Sequence, residues 1–352
     1  MVIGVDLFAG AGGMSLGAVQ AGIDVKIAVE KDLWAVQTYK ANFPDCTLLH
    51  ADIRDVDNLM LPARKAPLVL FGGPPCRGYS TSNQRTRNTE NPSNWLFKEF
   101  LRLAGLLQPD WVVLENVAGI LETEKGAFLH SMLDSFGRMG YGVSCEVLDA
   151  ASHCVPQFRK RVFIIGCIGS SYRFVDRSCT TKRVTVAQAI SDLPDLPNGA
   201  SFPTLPYKSR ATSEYAHKMR GDLMSCSGHY VTKNANYVLE RYKHIPQGGN
   251  WTNIPIHLMQ NYKNPRKCHT GIYYRLRNDE PSKVIGNFRK NMLIHPTQDR
   301  GLSIREAARL QSFPDWYVFV GSIGFQQQQV GDAVPPLLAE AVFRSILQVS
   351  AN

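Results

Sequence analysis

The chain has 352 residues, 44% hydrophobic and 20% charged, which is the composition of a core-burying globular protein and excludes a disordered or fibrous one. No apolar run approaches the roughly 18–20 residues of a membrane span, and Asp6 breaks the apolar amino terminus with no basic stretch before it, so neither an anchor nor a secretion signal is expected and the cytoplasm is the default. The net charge is +9, yet residues 170–300 hold 20 basic and 9 acidic residues against 19 and 21 elsewhere, so the excess sits in one segment and points to a polyanion, nucleic acid first.

Continuous apolar runs predict buried strands at Val2–Phe8, Val25–Glu30, Leu68–Phe71, Trp111–Glu115 and Arg161–Cys167. Helical patterns lie between them at Gly13–Ala21, Asp32–Asn42, Trp95–Leu107 and Lys125–Met139. This alternation predicts an α/β fold, a doubly wound and mostly parallel Rossmann-like sheet, with ligands at the carboxyl ends of the strands. After Gly169 the regularity stops, and Pro, Gly, Asn, Ser, Tyr and basic residues dominate to about residue 290. A second, smaller, irregular domain over 170–300 is expected, with 1–169 plus 301–352 forming the first. Ser303 and Glu306 form a capping box for a helix ending near Ser312. A last helix starts near Pro335–Pro336 and is expected to pack on the first domain. The eight cysteines show no C-x-x-C spacing, so reduced thiols are expected and no metal site.

The strand-end loops carry the chemistry. Asp6–Gly17 has glycines at 10, 12 and 13 that let the backbone turn sharply at a helix start and approach a ligand. Position 15 is Ser, so this is not the dinucleotide fingerprint. Glu30 at the end of the second strand suits ribose hydroxyls, and Asp52–Ile53 suits an adenine amine. A tight turn alone is the competing reading. Phe71–Ser80 places Cys76 at the tip of a Gly-Gly-Pro-Pro turn beside Arg77, an exposed position that suits a nucleophile rather than a packed thiol. Glu115 closes an apolar run, where poor solvation raises a carboxyl pKa and suits proton sharing with a bound base. Gln157, Arg159 and Arg161 alternate along an extended segment and can hold a phosphate or a carbonyl oxygen. A solvated basic edge is the alternative.

Taken together, and in this order, these residues resemble the DNA (cytosine-5)-methyltransferase family, bacterial restriction-modification type. The set is Asp6–Gly17, Glu30, Asp52, Gly73-Pro-Pro-Cys76, Glu115-Asn-Val, Gln157-x-Arg-x-Arg161, Arg305–Asp315 and Val330–Pro336. The middle of the chain, about 170–268, matches only generically, where that family keeps its variable target-recognition domain.

The resemblance implies S-adenosylmethionine as cofactor, with S-adenosylhomocysteine as product. Phe8, Ala9, Gly10, Gly12, Gly13 and Met14 would line its site. Glu30 would hold the ribose, with Lys31 also at the cofactor site, Asp52 and Ile53 would serve the adenine, Gly73 and Pro75 the methionine end, and Ala333 and Val334 the closing side. Asp332 stands where the family usually has Asn. Cys76 would add to C6 of a flipped-out cytosine, Glu115 would bind N3 and the exocyclic amine, Arg161 the base carbonyl, and Arg159 and Gln157 would support DNA backbone and loop. Arg77–Asn94 is expected to be a loop that closes on DNA, and Tyr230, Tyr237, Trp251 and Tyr262 to brace the irregular domain. The implied partner is duplex DNA, bound by a monomer, with a restriction endonuclease of the same site acting separately. Methylation of tRNA is the nearest alternative, weakened by the lack of a Cys-Phe-Thr signature. A nicotinamide oxidoreductase or a decayed DNA-binding module stands further off.

Overall fold

The structure is a computed structural model that describes residues 1–61, 66–75, 95–170, 172–175, 182–262, 271–286, 288 and 292–349. It divides into two compact units. The first comprises residues 1–153, 159–178 and 336–352, and the second residues 154–158 and 179–335.

The first unit is built on β1 (Val2–Leu7), β2 (Ile23–Glu30), β3 (Thr47–His50), β4 (Leu68–Gly72), β5 (Trp111–Val117), β6 (Tyr141–Asp149) and β7 (Lys160–Ile168). They form one sheet in the order β3-β2-β1-β4-β5-β7-β6. The first five run parallel, and β7 is antiparallel to both β5 and β6. The helices α1 (Gly13–Ala21), α2 (Leu33–Asn42), α3 (Phe97–Leu107) and α4 (Ala127–Arg138) follow. Val5, Leu7, Leu70, Val112, Leu114 and Ile164 are buried in the sheet and meet Phe100, Leu103 and Phe136 from α3 and α4. The expected α/β architecture is present. β6 was not anticipated, and the reversal of β7 is what makes the sheet mixed.

The terminal helix, Pro336–Val349, packs in this unit as expected, against α1. Gly17 permits the approach. A Cβ there would lie 2.5 Å from Ala339 Cβ and 2.6 Å from both Glu340 N and Pro336 O.

The second unit contains β8 (Ser201–Pro206) paired antiparallel with β9 (Ser225–Tyr230), and α5 (Val186–Ile190), α6 (Glu214–Arg220), α7 (Asn236–Lys243), α8 (Ile304–Leu310) and α9 (Ile323–Asp332). Ser303 caps α8 in the expected box with Glu306. Residues 301–335 group here rather than with the sheet, a correction to the expected boundary. The reason is buried charge. Arg309 is fully buried and bridges Asp192 and Asp315, while Arg305 donates to Ser227 O, Pro314 O and Tyr317 O. The side chains of α8 are thereby tied into this unit. Trp251 and Tyr262 pack, as expected, on a small apolar cluster around Tyr242 and Tyr273, and the Arg241 guanidinium lies over the Tyr237 ring at 5.0 Å.

Cys46, Cys145, Cys167 and Cys226 are free thiols, whereas Cys154 is disulfide-bonded, which departs from the all-thiol expectation.

Candidate active site

The chain leaves β1 through left-handed steps at Phe8 (φ 61°), Gly10 (φ 55°) and Gly12 (φ 81°). Only glycine takes such angles without cost, so two of the three positions are pre-adapted to the turn. Gly12 is the N-cap of α1, and no side chain of the described residues caps it. The first amides of the helix are thus left for the loop and whatever binds it. Apart from Gly10 and its two chain neighbours, no heavy atom of the described residues lies within 4 Å of where a Gly10 side chain would begin. Gly13 and Met14 are buried in the first turn of α1, and Ala9 donates to Val29 O at 3.1 Å.

Glu30 closes β2 under this loop. Its Oε2 accepts from Gly10 N at 2.8 Å, and Oε1 accepts from Lys31 N at 2.8 Å and Asp32 N at 2.7 Å. Three backbone donors fix the carboxylate beside the glycine turn. Asp52 caps a short turn after β3. Arg54 grips it, with Nε 2.9 Å from Oδ1 and Nη2 2.7 Å from Oδ2. That hydrogen-bonded guanidinium holds the Asp52 carboxyl well below the usual carboxylate range. Lys31 Nζ stands 3.7 Å from the same carboxylate. Ile53 is 4% exposed, and its side chain belongs to the apolar core.

Beneath the loop runs a polar chain that sequence reasoning missed. Asp6 is 1% exposed and accepts from Ser15 Oγ at 2.6 Å; Ser15 Oγ shares a 2.7 Å hydrogen bond with Tyr39 Oη. Burial pushes the Asp6 carboxyl up to about 8; the Ser15 hydrogen bond opposes this and the Glu30 charge adds to it. The available signal was an Asp inside an otherwise apolar strand.

β4 and β5 carry the second half of the site. After β4 come Gly73, Pro74 and Pro75. Asn116 Nδ2 donates to Pro74 O at 3.4 Å, tying the turn to β5. Cys76, and the Arg77–Asn94 loop expected to close, lie outside the described residues. Glu115 is 9% exposed. Because β7 is antiparallel, Val117 faces Arg161 and Glu115 faces Phe163. Arg161 and Glu115 are therefore diagonal neighbours on one face of the sheet. Arg161 Nε reaches Glu115 Oε1 at 2.9 Å. Burial raises the Glu115 carboxyl above its ordinary value, and the charges of Arg161 and Arg159 oppose that rise.

The row Gln157, Arg159, Arg161 does not form one basic edge. Gln157 is fully buried in the second unit. It donates to Leu310 O and Gln311 Oε1 and accepts from Ile285 N, so it is an internal tie and not a support for DNA. Arg159, 1% exposed, is in the first unit and acts on Glu115 from within, which removes it from any exposed phosphate contact. Ala333 and Val334 belong to the second unit, where Ala333 O accepts from Gln311 Nε2 at 3.3 Å and Val334 is buried. Asp332 is exposed and accepts from Gln328 Nε2 at 2.6 Å.

Residues 3–348 match the family model described as C-5 cytosine-specific DNA methylase. A Type II methyltransferase of Haemophilus parahaemolyticus, M1.HphI, is 38% identical over 99% of this chain and 87% of its own length. Another from Desulfomicrobium norvegicum, M.DdeI, is 33% identical over 97% and 88%. The crystal structure of a putative DNA modification methyltransferase encoded within an Escherichia coli prophage superposes over the whole of both chains with a TM-score of 0.80 at 26% identity. The S. pombe Dnmt2 methyltransferase shares the fold, with a TM-score of 0.64 at 14% identity.

Proposed function

The chain belongs to the C-5 cytosine-specific DNA methylase family, and from that premise we propose that Glu115 and Arg161 hold the target cytosine while Cys76 attacks it. The enzyme is a DNA (cytosine-5)-methyltransferase. The observation that carries the residue assignment is the buried Arg161–Glu115 pair at 2.9 Å, set beside the Gly-Pro-Pro turn that leads into Cys76.

C5 of cytosine is a poor nucleophile. The Cys76 thiolate adds to C6, and the electron pair of the C5–C6 double bond moves onto C5. The Glu115 carboxyl, whose affinity for a proton burial raises, hydrogen-bonds N3 and the exocyclic amine and drains charge from the ring as the thiolate adds. Arg161 binds the base carbonyl and keeps Glu115 oriented. Once C5 has taken the methyl group, whose sulfonium carrier would leave as the neutral thioether S-adenosylhomocysteine, loss of the C5 proton to a base and departure of Cys76 as thiolate restore the aromatic ring. Stacked bases cannot be reached this way, so the cytosine is flipped out of the duplex at a cost of roughly a few kcal/mol.

S-adenosylmethionine supplies the methyl group as a sulfonium when bound. The residues present fit it. The open, left-handed Gly10–Gly12 turn and uncapped start of α1, with Phe8, Ala9, Gly13 and Met14, would form the cradle. Glu30, already fixed by three amides, would take the ribose with Lys31 beside it. Asp52 would take the adenine. Ala333, Val334 and Pro75 complete the reading on the resemblance alone.

The basic stretch 170–300 would recognise duplex DNA through phosphates and the major groove. We further place the protein in the cytoplasm as a monomer, its site shared with a separate restriction endonuclease, as the Type II names of its relatives suggest. No helix among the described residues is long and apolar enough to cross a membrane.

Glu115→Gln tests the assignment. Methyl incorporation into duplex DNA is expected to fall by about 100-fold or more with S-adenosylmethionine affinity retained. An unchanged rate would overturn the role of Glu115. A parallel arm with tRNA is expected to show no incorporation.

A further inference from the structure

The two glycines that end β4 and begin its turn serve different ends. At Gly72 a Cβ would sit 2.0 Å from Leu7 O, so any side chain collides with neighbouring backbone in β1. Gly72 is required by the fold. At Gly73 the nearest heavy atoms to a Cβ all belong to one residue: Glu115 Oε2 at 2.8 Å, Glu115 O at 3.8 Å and Glu115 Cδ at 3.9 Å. The Gly73 backbone is not in the left-handed region, so alanine would be tolerated by the main chain. Glycine is needed at 73 because of what stands opposite it.

What stands opposite is a buried carboxylate already held through its other oxygen. Arg161 holds Glu115 Oε1 at 2.9 Å, and the residue is 9% exposed. A methyl group at 73 pushes Oε2, and the carboxylate answers only by rotating away or by stretching the Arg161 pair. The resemblance assigned Gly73 to the methionine end of the cofactor. We infer that Gly73 is a positioning residue for Glu115, the missing side chain setting where the carboxyl group meets the target base. This rests on the reading that Glu115 contacts the base, and the experiment separates the two.

Gly73→Ala is assayed alone and in the Glu115→Gln background, on duplex DNA, with S-adenosylmethionine affinity measured by calorimetry. A displacement of about 1 Å at a reacting group costs about 100-fold in rate. Gly73→Ala is therefore expected to lose about 100-fold in kcat while its cofactor affinity changes by less than about twofold. In the Glu115→Gln background the added loss is expected to be within about twofold, because residues acting through one another are non-additive.

Weakened cofactor binding with kcat preserved would overturn the inference and return Gly73 to the methionine end. Equal losses in both backgrounds would also overturn it. If Glu115→Gln alone is fully active, the role of Glu115 falls first and this inference with it. If Gly73→Ala does not fold, Gly73→Ala combined with Glu115→Ala is expected to fold, the opposing carboxylate being gone; failure of the pair overturns the inference.

Discussion

Asp6→Asn should make the protein more stable as pH rises, relative to the parent chain. Asp6 is 1% exposed at the centre of the sheet, and burial raises its carboxyl to about 8. In the unfolded chain the same group titrates near 3.9. Below about pH 4 both states hold the proton and Asp6 contributes no pH dependence. Between about 4 and 8 the unfolded chain releases it and the folded chain keeps it. The unfolded state then binds fewer protons, so stability falls with rising pH across that window and stops falling above it. Each pH unit costs roughly 1.4 kcal/mol, so the ceiling at pH 8 is about 6 kcal/mol. Such a figure is large against the roughly 5–15 kcal/mol of a typical domain. Asparagine does not titrate, and its amide oxygen can still accept from Ser15 Oγ. Urea unfolding of both proteins at pH 5, 6, 7 and 8 gives the difference in stability, from which other groups cancel. That difference should grow in favour of the Asp6→Asn protein by a few kcal/mol from pH 5 to pH 8. A difference that stays constant would mean that Asp6 is ionised in the folded protein, and the reasoning from burial would be refuted.

Gly17→Ala should lower the melting temperature, because two of the atoms a methyl would meet, Glu340 N and Pro336 O, are backbone that cannot step aside. Overpacking of this kind costs about 1–3 kcal/mol, and an unchanged melting curve would show that the terminal helix does not press on α1 so closely. Arg309→Met leaves Asp192 and Asp315 buried without their shared cation and should destabilise the second unit by about 3–5 kcal/mol; adding Asp192→Asn should recover part of the loss in the same melt. DNA affinity, followed by fluorescence anisotropy, should fall steeply between low and physiological salt. A flat salt response would mean that the basic stretch does not meet phosphates.

β1, β4 and β5 were legible because they are buried on both faces and read as nearly unbroken apolar runs, as in Leu68–Phe71 and Trp111–Glu115, whereas the parallel edge strand β3 has no buried residue and gave no such run. β6 was not, because it lies at the sheet edge: Tyr141–Asp149 is half exposed, and Ser144, Cys145 and Glu146 break the run. The direction of β7 was illegible for a different reason. An apolar run states burial, not polarity of pairing, and the pairing decides that Arg161 meets Glu115. α9 escaped notice because it is held by glutamine side chains and not by an apolar stripe: Gln326 donates to Gly321 O, Gln327 to Thr232 Oγ1 and Gln329 to Val320 O. Gln157 shows the opposite error. A polar residue two positions before a basic one reads as surface, yet its three side-chain hydrogen bonds are to Leu310, Gln311 and Ile285, partners more than a hundred residues away that no local pattern announces. The capping box at Ser303 was legible because both of its hydrogen bonds are local.

The account depends on a bond between Cys76 and a pyrimidine ring, and that bond can be trapped. A randomised duplex library with 5-fluorocytosine in place of cytosine, incubated with the enzyme and S-adenosylmethionine, should leave a covalent adduct, because the fluorine at C5 cannot depart as a proton does. Mass spectrometry of the digested protein should find the nucleotide on the peptide that contains Cys76. An enzyme that methylates the unfluorinated library yet yields no adduct, or yields one on another residue, would contradict the account.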